Sequence, residues 1–482
     1  MNNPIYRAMY IVIASLSLAL FFNYLFFSKA IGVSVFIFAA VLVGTVFLFA
    51  YKLGKNLKQS WWLVGAIGFF AAMPTFRANE FLTFLNVCAV LGLCMLWSLQ
   101  VTGQPIWLMK IKQYIKLFAL MPFRMLYTAL TTIGVMSRVH STVKSRDTWV
   151  RVLKGVMMAI PILLVFALLF AQADLAFSQF IKQFISIDIT PRMIQYMVLL
   201  GFAFVSGLSF MSFTLQATTV PEDNKLTPVE PGRDIEVLVF LSLIGALFLF
   251  FIGFQITYLF GGEANIVTAG FTYAEYARRG FWELLFVAFL SLVLLFAAEK
   301  YSSTEGIVRR TFLIPALFVI AEVMVIVVSA FTRLHMYIDA YGMSLLRFYV
   351  AGFILLLLAL FVLLAVKFIF GKQEKFFVFG ALLSVVTFLA IINIANPDVF
   401  IARANQNRYQ TSGKLDQNYL YSLSPDAESY KIEAYQRSLG TGDAVLQEWL
   451  RWDKEKLERE NAHWQGFNLS RYKALKQLQQ LE

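Results

Sequence analysis

The stretch LLRFYVAGFILLLLALFVLLAVKFIF, residues Leu345–Phe370, decides the fold class. Between Arg347 and Lys367 it carries no charged side chain. A helix rises about 1.5 Å per residue, so ~20 such residues cross the ~30 Å hydrocarbon layer of a bilayer. Comparable apolar segments lie at Met9–Phe27, Gly32–Tyr51, Trp61–Phe76, Phe81–Leu99, Val156–Phe177, Ile194–Leu215, Ile235–Phe260, Phe281–Ala298, Thr311–Ala330 and Phe376–Ile394, which makes eleven expected spans. Composition agrees: 59% of the 482 residues are hydrophobic and 15% are charged, against about 25% charged in soluble domains. A water-soluble globule is excluded, and the expected class is an all-α, polytopic helical transmembrane bundle with a small helical extramembrane tail.

The pattern predicts four regions: four spans in residues 1–99, a basic amphipathic connection in 100–155, seven spans in 156–395 and a polar tail in 396–482. Trp61–Phe76 is short for a span and must thin the bilayer or lie partly re-entrant. The first segment is too long for a signal-peptide core, and Ser28-Lys29-Ala30 is no cleavage pattern, so it reads as a retained helix. The short Ser28–Ile31 turn then folds the first two spans into a hairpin.

Charge supplies the expected sidedness. The net +12 belongs wholly to the region before Asn396, because the tail balances twelve Lys/Arg with twelve Asp/Glu. Between Gln100 and Gly155 nine Lys/Arg face one acid, Asp147, and Lys52, Lys55 and Lys58 lie between the second and third spans. Such connections resist translocation. The amino terminus is therefore expected in the cytoplasm, and an odd number of spans puts the tail outside. Within the basic connection Ile106, Trp107, Ile111, Ile115, Phe118, Met121, Phe123 and Leu126 alternate with the lysines at helix-like intervals, so it is expected to lie along the inner leaflet, its lysines meeting anionic headgroups. A cytoplasmic protein partner is the sharper reading of the same surface. This is orientation charge, not a nucleic-acid footprint.

The tail carries its own helix signals. Ser424-Pro425-Asp426 followed by Glu428 supplies a cap, a proline at the first helical position and early acids. Leu446, Leu450, Asp453 and Leu457 form one imperfect amphipathic pattern, and Leu469, Tyr472, Leu475 and Leu478 another. These helices should pack on each other and on the outer face of the bundle.

No catalytic or nucleotide-binding signature is present: there is no G-x-S-x-G, H-E-x-x-H, Walker loop or G-x-G-x-x-G. Cys88 and Cys94 point to different helix faces, and His140, His335 and His463 lie far apart, so neither a metal site nor a cofactor is expected. Glu322 is the one well-centred acid in an apolar run, and at mid-bilayer it must be paired, hydrated or neutral. It is either a proton or cation carrier or structural glue hydrogen-bonded to a neighbouring helix. Asn86 and Gln255 are candidate interhelical hydrogen-bonders, while Asp174 and Arg192 are interfacial.

Two expected outer loops hold more polar and aromatic residues than turns require. The first contains Tyr273, Glu275, Tyr276, Arg278 and Arg279, and the second contains Arg333, Asp339 and Tyr341, with Arg347 just inside the next span. Glu275 and Arg279 are spaced to pair on a helix. Arg278, Arg333 and Arg347 with the tyrosines would suit an anionic headgroup or carboxylate; the alternative is an aromatic belt with salt bridges to the tail.

The run from Gln255 through Tyr258-Leu259-Phe260-Gly261-Gly262 and Thr272–Leu284 resembles a bacterial multipass membrane family carried as a domain of unknown function. So do Ser329–Leu334, Tyr337–Arg347, Asn396-Pro397-Asp398, Ile401-Ala402-Arg403, Asn405, Arg408, Leu415-Asp416, Tyr419-Leu420 and Asp426-Ala427. The resemblance covers about Ile235 to Tyr430 and implies an inner-membrane protein with no assigned catalytic residue. Three functional classes follow. The first is a non-enzymatic scaffold or signalling component that recognises a ligand or partner through its outer face. The second is a proton-coupled transporter using Glu322. The third is an enzyme on lipid-linked substrates, with Glu275, Glu283, His335 or Asp339 beside the arginines.

Overall fold

Long charge-free windows form helices whose ends fall where capping groups or left-handed residues interrupt them. The computed structural model describes residues 4–55, 57, 60–138, 191–216, 234–259, 281–301, 306–438 and 444–481. The long helices are α1 (Pro4–Phe26), α2 (Val33–Lys52), α3 (Trp61–Phe76), α4 (Glu80–Val101), α5 (Ile111–Arg138), α6 (Pro191–Gln216), α7 (Asp234–Leu259), α8 (Phe281–Tyr301), α9 (Gly306–Tyr341), α10 (Leu345–Ile369) and α11 (Glu374–Ala395). The tail adds α12 (Pro397–Ser412), α13 (Gln417–Ser422), α14 (Glu428–Ser438), α15 (Ala444–Glu460) and α16 (Leu469–Gln479). Among the described residues there is no strand.

Ten of these helices are long and apolar enough to cross a membrane. Nine correspond to expected spans. The tenth, within Ile111–Val135, falls in the expected basic connection, where α5 is a continuous helix packed on α6 and α1. Tyr114, Leu117, Met121, Met125, Ala129 and Thr132 recur every three or four residues and are buried. Of the α5 residues expected on the apolar face only Met121 is buried; Ile115, Phe118 and Leu126 are exposed, so the protein-covered face is rotated from the one expected. α3 has the expected bounds and, at 16 residues, stays below span length. Val156–Phe177 and Asp174 lie outside the described residues.

Contacts at the helix ends sort the bundle into two ends. At one, Lys55 donates to Thr214 O at the close of α6 (2.8 Å), and the Ile111 amide donates to Glu374 Oε1 at the start of α11 (2.9 Å). Burial, and secondly the charge of Arg7, lowers Lys55 to about 8. At the opposite end the α1–α2 turn, with Ser28 left-handed at φ 55°, the end of α3 and the α9–α10 junction each bond to the tail, through Arg471, Asn468 and Asn405. There the tail caps the bundle. Between the ends, close approach depends on small residues, as is usual where lipid tails supply no hydrophobic drive: a Cβ on Gly352 would lie 2.9 Å from the Phe388 ring.

Ser424 accepts from the Asp426 amide, and a short turn leads into α14 at Glu428, as the capping signal predicts. α16 differs in its face: Arg471, Ala474 and Leu478 are buried while Tyr472 is about half exposed. Beneath α15 the fully buried Lys431 lies 3.3 Å from Glu428 and 3.5 Å from Asp453, with Trp449 under its ammonium. Two carboxylates share one buried cation. Burial, opposed by Lys431 and reinforced by Asp453, raises Glu428 to about 7.

The folded state therefore binds more protons than the unfolded chain between about pH 4.5 and 7, and the tail loses stability as pH rises through that window. Glu428→Gln should flatten this decline and leave the tail more protease-resistant than wild type at pH 8. Limited proteolysis at pH 5.5 and 8 reads the difference, and equal sensitivity of both proteins at both pH values would refute it.

Candidate functional site

The α7–α9 interface holds several buried polar groups that have no hydrogen-bond partner among the described residues. In α9 the stripe Glu322, Ile326, Ser329 and Arg333 follows i, i+4, i+7, i+11 spacing, so all four lie on one face, and all are buried. Glu322 is 4% exposed, and neither carboxyl oxygen has a hydrogen-bond partner among the described residues. Ser329 Oγ is likewise unpartnered. α7 packs along α9 and buries Leu241, Gly245, Ile252 and Gln255 on its own stripe. A Cβ added to Gly245 would stand 3.3 Å from Glu322 Oε2, so the missing side chain leaves space for the carboxyl.

Gln255, expected to bond across helices, has neither its amide nitrogen nor its oxygen paired among the described residues. Asn86 meets the same expectation fully: it exchanges two 2.8 Å hydrogen bonds with Asn393 on α11. The contrast matters because an unpaired buried polar group costs about 1–3 kcal/mol. One buried amide pair is satisfied within the protein, whereas Glu322, Ser329 and Gln255 have no partner among the described residues.

The second expected outer loop is helical. Nothing between Phe331 and Tyr341 breaks the helix, and α9 continues until Gly342 adopts φ +83°. Tyr337 and Tyr341 extend the Arg333 side of α9 at four-residue intervals. Arg347 lies over the Tyr337 ring at 4.3 Å and donates to Gly342 O. Arg347, Tyr337 and Tyr341 are thus brought together. His335 and Asp339 are largely exposed and lie 3.9 Å apart, an outward-facing pair. Tyr273, Glu275, Tyr276, Arg278 and Arg279 lie outside the described residues.

The tail takes up much of this turn. Asn405 accepts from Met343 N (2.7 Å) and donates to Met343 O (2.9 Å); Tyr419 Oη accepts from Leu345 N (2.7 Å). Arg408 donates to Asp339 O and Ala340 O, covering the last carbonyls of α9. Across the bundle end, Asp426 accepts from the Ala78 and Asn79 amides and from Ser470 Oγ. Asp398 accepts from Asn79 Nδ2 at 2.7 Å and from the Ser424 amide. Burial raises the Asp398 pKa, with Asn79 acting against that and Asp426 adding to it.

Sequence reading did not single out Ser329, although its seven-residue offset from Glu322 was the available signal. It also did not single out the Asn79–Asp398–Asp426 contacts, whose members lie more than 300 residues apart in part. Among the described residues no cluster of metal-binding side chains occurs.

A bundle of ten span-length helices with a polar helical cap is a polytopic all-α membrane protein. The chain belongs to the family described as Domain of unknown function (DUF4153), which matches residues 64–433. That match starts in α3 and ends in α14, so it reaches well before Ile235, where the quoted resemblance began. No curated protein and no solved structure matches the chain.

Proposed function

We propose that this protein is a proton-coupled membrane transporter in which Glu322 is the proton-carrying group. The observation that carries the reading is the pair of unpartnered Glu322 oxygens inside the α7–α9 interface. Structural glue would require a hydrogen bond to a neighbouring helix, and none is present among the described residues. Ser329 and Gln255, unpartnered among the described residues, extend the polar surface along the same interface. An intramembrane acid in such a setting is a group available to protons or cations. The recognition reading of the outer turn has less support, because Asn405, Arg408 and Tyr419 already take its backbone groups.

The orientation belongs to the same proposal. Lys52, Lys55, Lys110, Lys112, Lys372 and Lys375 border the end where α1 starts, which favours a cytoplasmic amino terminus, an exported tail and a bacterial inner-membrane location. The lysines of that end are placed to meet anionic headgroups.

Proteoliposomes containing a pH-sensitive dye and driven by a potassium-diffusion potential should acidify with wild type. Glu322→Gln should abolish the proton flux, and Glu322→Asp should retain part of it. Wild-type flux equal to that of empty liposomes, or unchanged by Glu322→Gln, would remove Glu322 from the function. In a Cys88→Ala, Cys94→Ala background, an impermeant thiol reagent should label intact cells carrying Arg451→Cys and spare Lys112→Cys; the reverse pattern overturns the orientation.

A further inference from the structure

Where α16 crosses the ends of α3 and α11, a groove of about 260 Å³ opens, lined by Met73, Phe76, Arg77, Ile394, Ser470 and Lys473 among others. Its two halves differ in chemistry. Met73, Phe76 and Ile394 belong to the last turns of α3 and α11, and Phe76 and Ile394 are 45% and 69% exposed. Ile391, one turn below on α11, is exposed as well, so the apolar lip continues onto the long side of the bundle. The other lip carries two cations, Arg77 and Lys473, and neither has an acidic partner among the described residues. Arg77 is held in place by donating to Asn393 O (2.8 Å) and Ile394 O (3.2 Å), the carbonyls that end α11. The carboxylate of Asp426 is engaged by the Ala78 and Asn79 amides and the Ser470 and Ser424 hydroxyls, not by Arg77 or Lys473.

We propose that this groove binds the headgroup of one anionic phospholipid from the leaflet at the capped end. A phosphate diester between Arg77 and Lys473 would meet two fixed positive charges, and its acyl chains would run down the exposed Ile394–Ile391 surface. The volume fits this division, because pockets that enclose a whole ligand measure ~300–1,000 Å³. This groove takes a headgroup and leaves the chains in the bilayer. It is also a joint: Ser470 and Lys473 come from the tail, Phe76 and Arg77 from α3, and Ile394 from α11. Occupancy therefore clamps the tail to the bundle.

The test is native mass spectrometry of the full-length protein in detergent, titrated with phosphatidylglycerol and separately with phosphatidylcholine of the same chain length. Phosphatidylglycerol should bind more tightly, and its addition should slow hydrogen exchange in residues 466–475. Lys473 is exposed and its side chain makes no hydrogen bond or ion pair among the described residues, so Lys473→Gln should keep the thermal midpoint and lose about fivefold of the preference, the equivalent of one lysine near a lipid surface. Lys473→Glu should abolish it.

Equal affinity for the two lipids, or a preference unchanged in both Lys473 variants, overturns the proposal. Displacement of phosphatidylglycerol by equimolar glycerol 3-phosphate also overturns it, by assigning the site to a soluble phosphate ester. None of these outcomes depends on Glu322.

Discussion

Glu299→Ala should destabilise the bundle by about 1–3 kcal/mol, the cost of leaving a buried polar group without its partner, Glu299 itself being about one third exposed and Lys367 buried. Lys367, in the last turn of α10, is 1% exposed and donates to Glu299 Oε2 on α8. The rings of Phe296 and Phe368 lie 4.9 and 5.2 Å from its ammonium and supply no hydrogen-bond acceptor. With Glu299 gone, the buried ammonium loses its ion-pair partner and keeps the two aromatic rings. Lys367→Met in the same chain removes that charge, so the double variant should recover most of the loss. Unfolding in mixed micelles measures the cycle. A single variant within about 0.5 kcal/mol of wild type, the usual range of an inconsequential surface change, would show that the pair does not hold α8 to α10.

Gly32→Ala should release the end of the tail. A Cβ there would stand 2.6 Å from the Gly466 carbonyl carbon, with the oxygens of Gly466 and Phe467 nearer still. These are backbone atoms, which cannot rotate away as a side chain can. The Val33 amide also donates to Phe467 O at 2.9 Å, so the start of α2 and the 464–467 turn are in direct main-chain contact. Separating them strains the Arg471 bond to Ile31 O and the Asn468 bonds to Pro74 O and Arg77 O. Overpacking of this kind costs about 1–3 kcal/mol, and here it falls on one docking surface. Hydrogen exchange in residues 464–479 should accelerate at least tenfold, on the order of the equilibrium change 1.4 kcal/mol produces, while the exchange of α10 is unaltered. Unchanged protection of that segment would mean the close approach is not required.

The two expectations that changed most have a common cause. Residues 111–138 carry apolar side chains all round beside the lysines: Ile115, Phe118 and Leu126 lie exposed, while Tyr114, Leu117, Met121 and Met125 fill a protein groove. α6 and α1 provide the groove, and α6 lies more than fifty residues further along the chain. The turn after Ala330 was expected because charged and aromatic residues begin there. Polarity ends a lipid-facing surface, but it does not end a helix, and α9 runs on until Gly342. Glu322 stands in between: its isolation is visible in the sequence, whereas the lack of a partner depends on which helices face it.

Helix position, length and apolar character follow from the chain alone, because they rest on local properties: charge-free windows, capping residues such as Asn79 and Ser344, and the 3.6-residue period. Which surface covers each apolar stripe rests on the folded arrangement. Lipid and protein satisfy an apolar side chain nearly equally, so hydrophobicity cannot distinguish them. The same holds for the buried polar groups. Asn86 and Glu322 are each a lone polar residue in an apolar run, and only the packing pairs the first with Asn393 and leaves the second against Gly245.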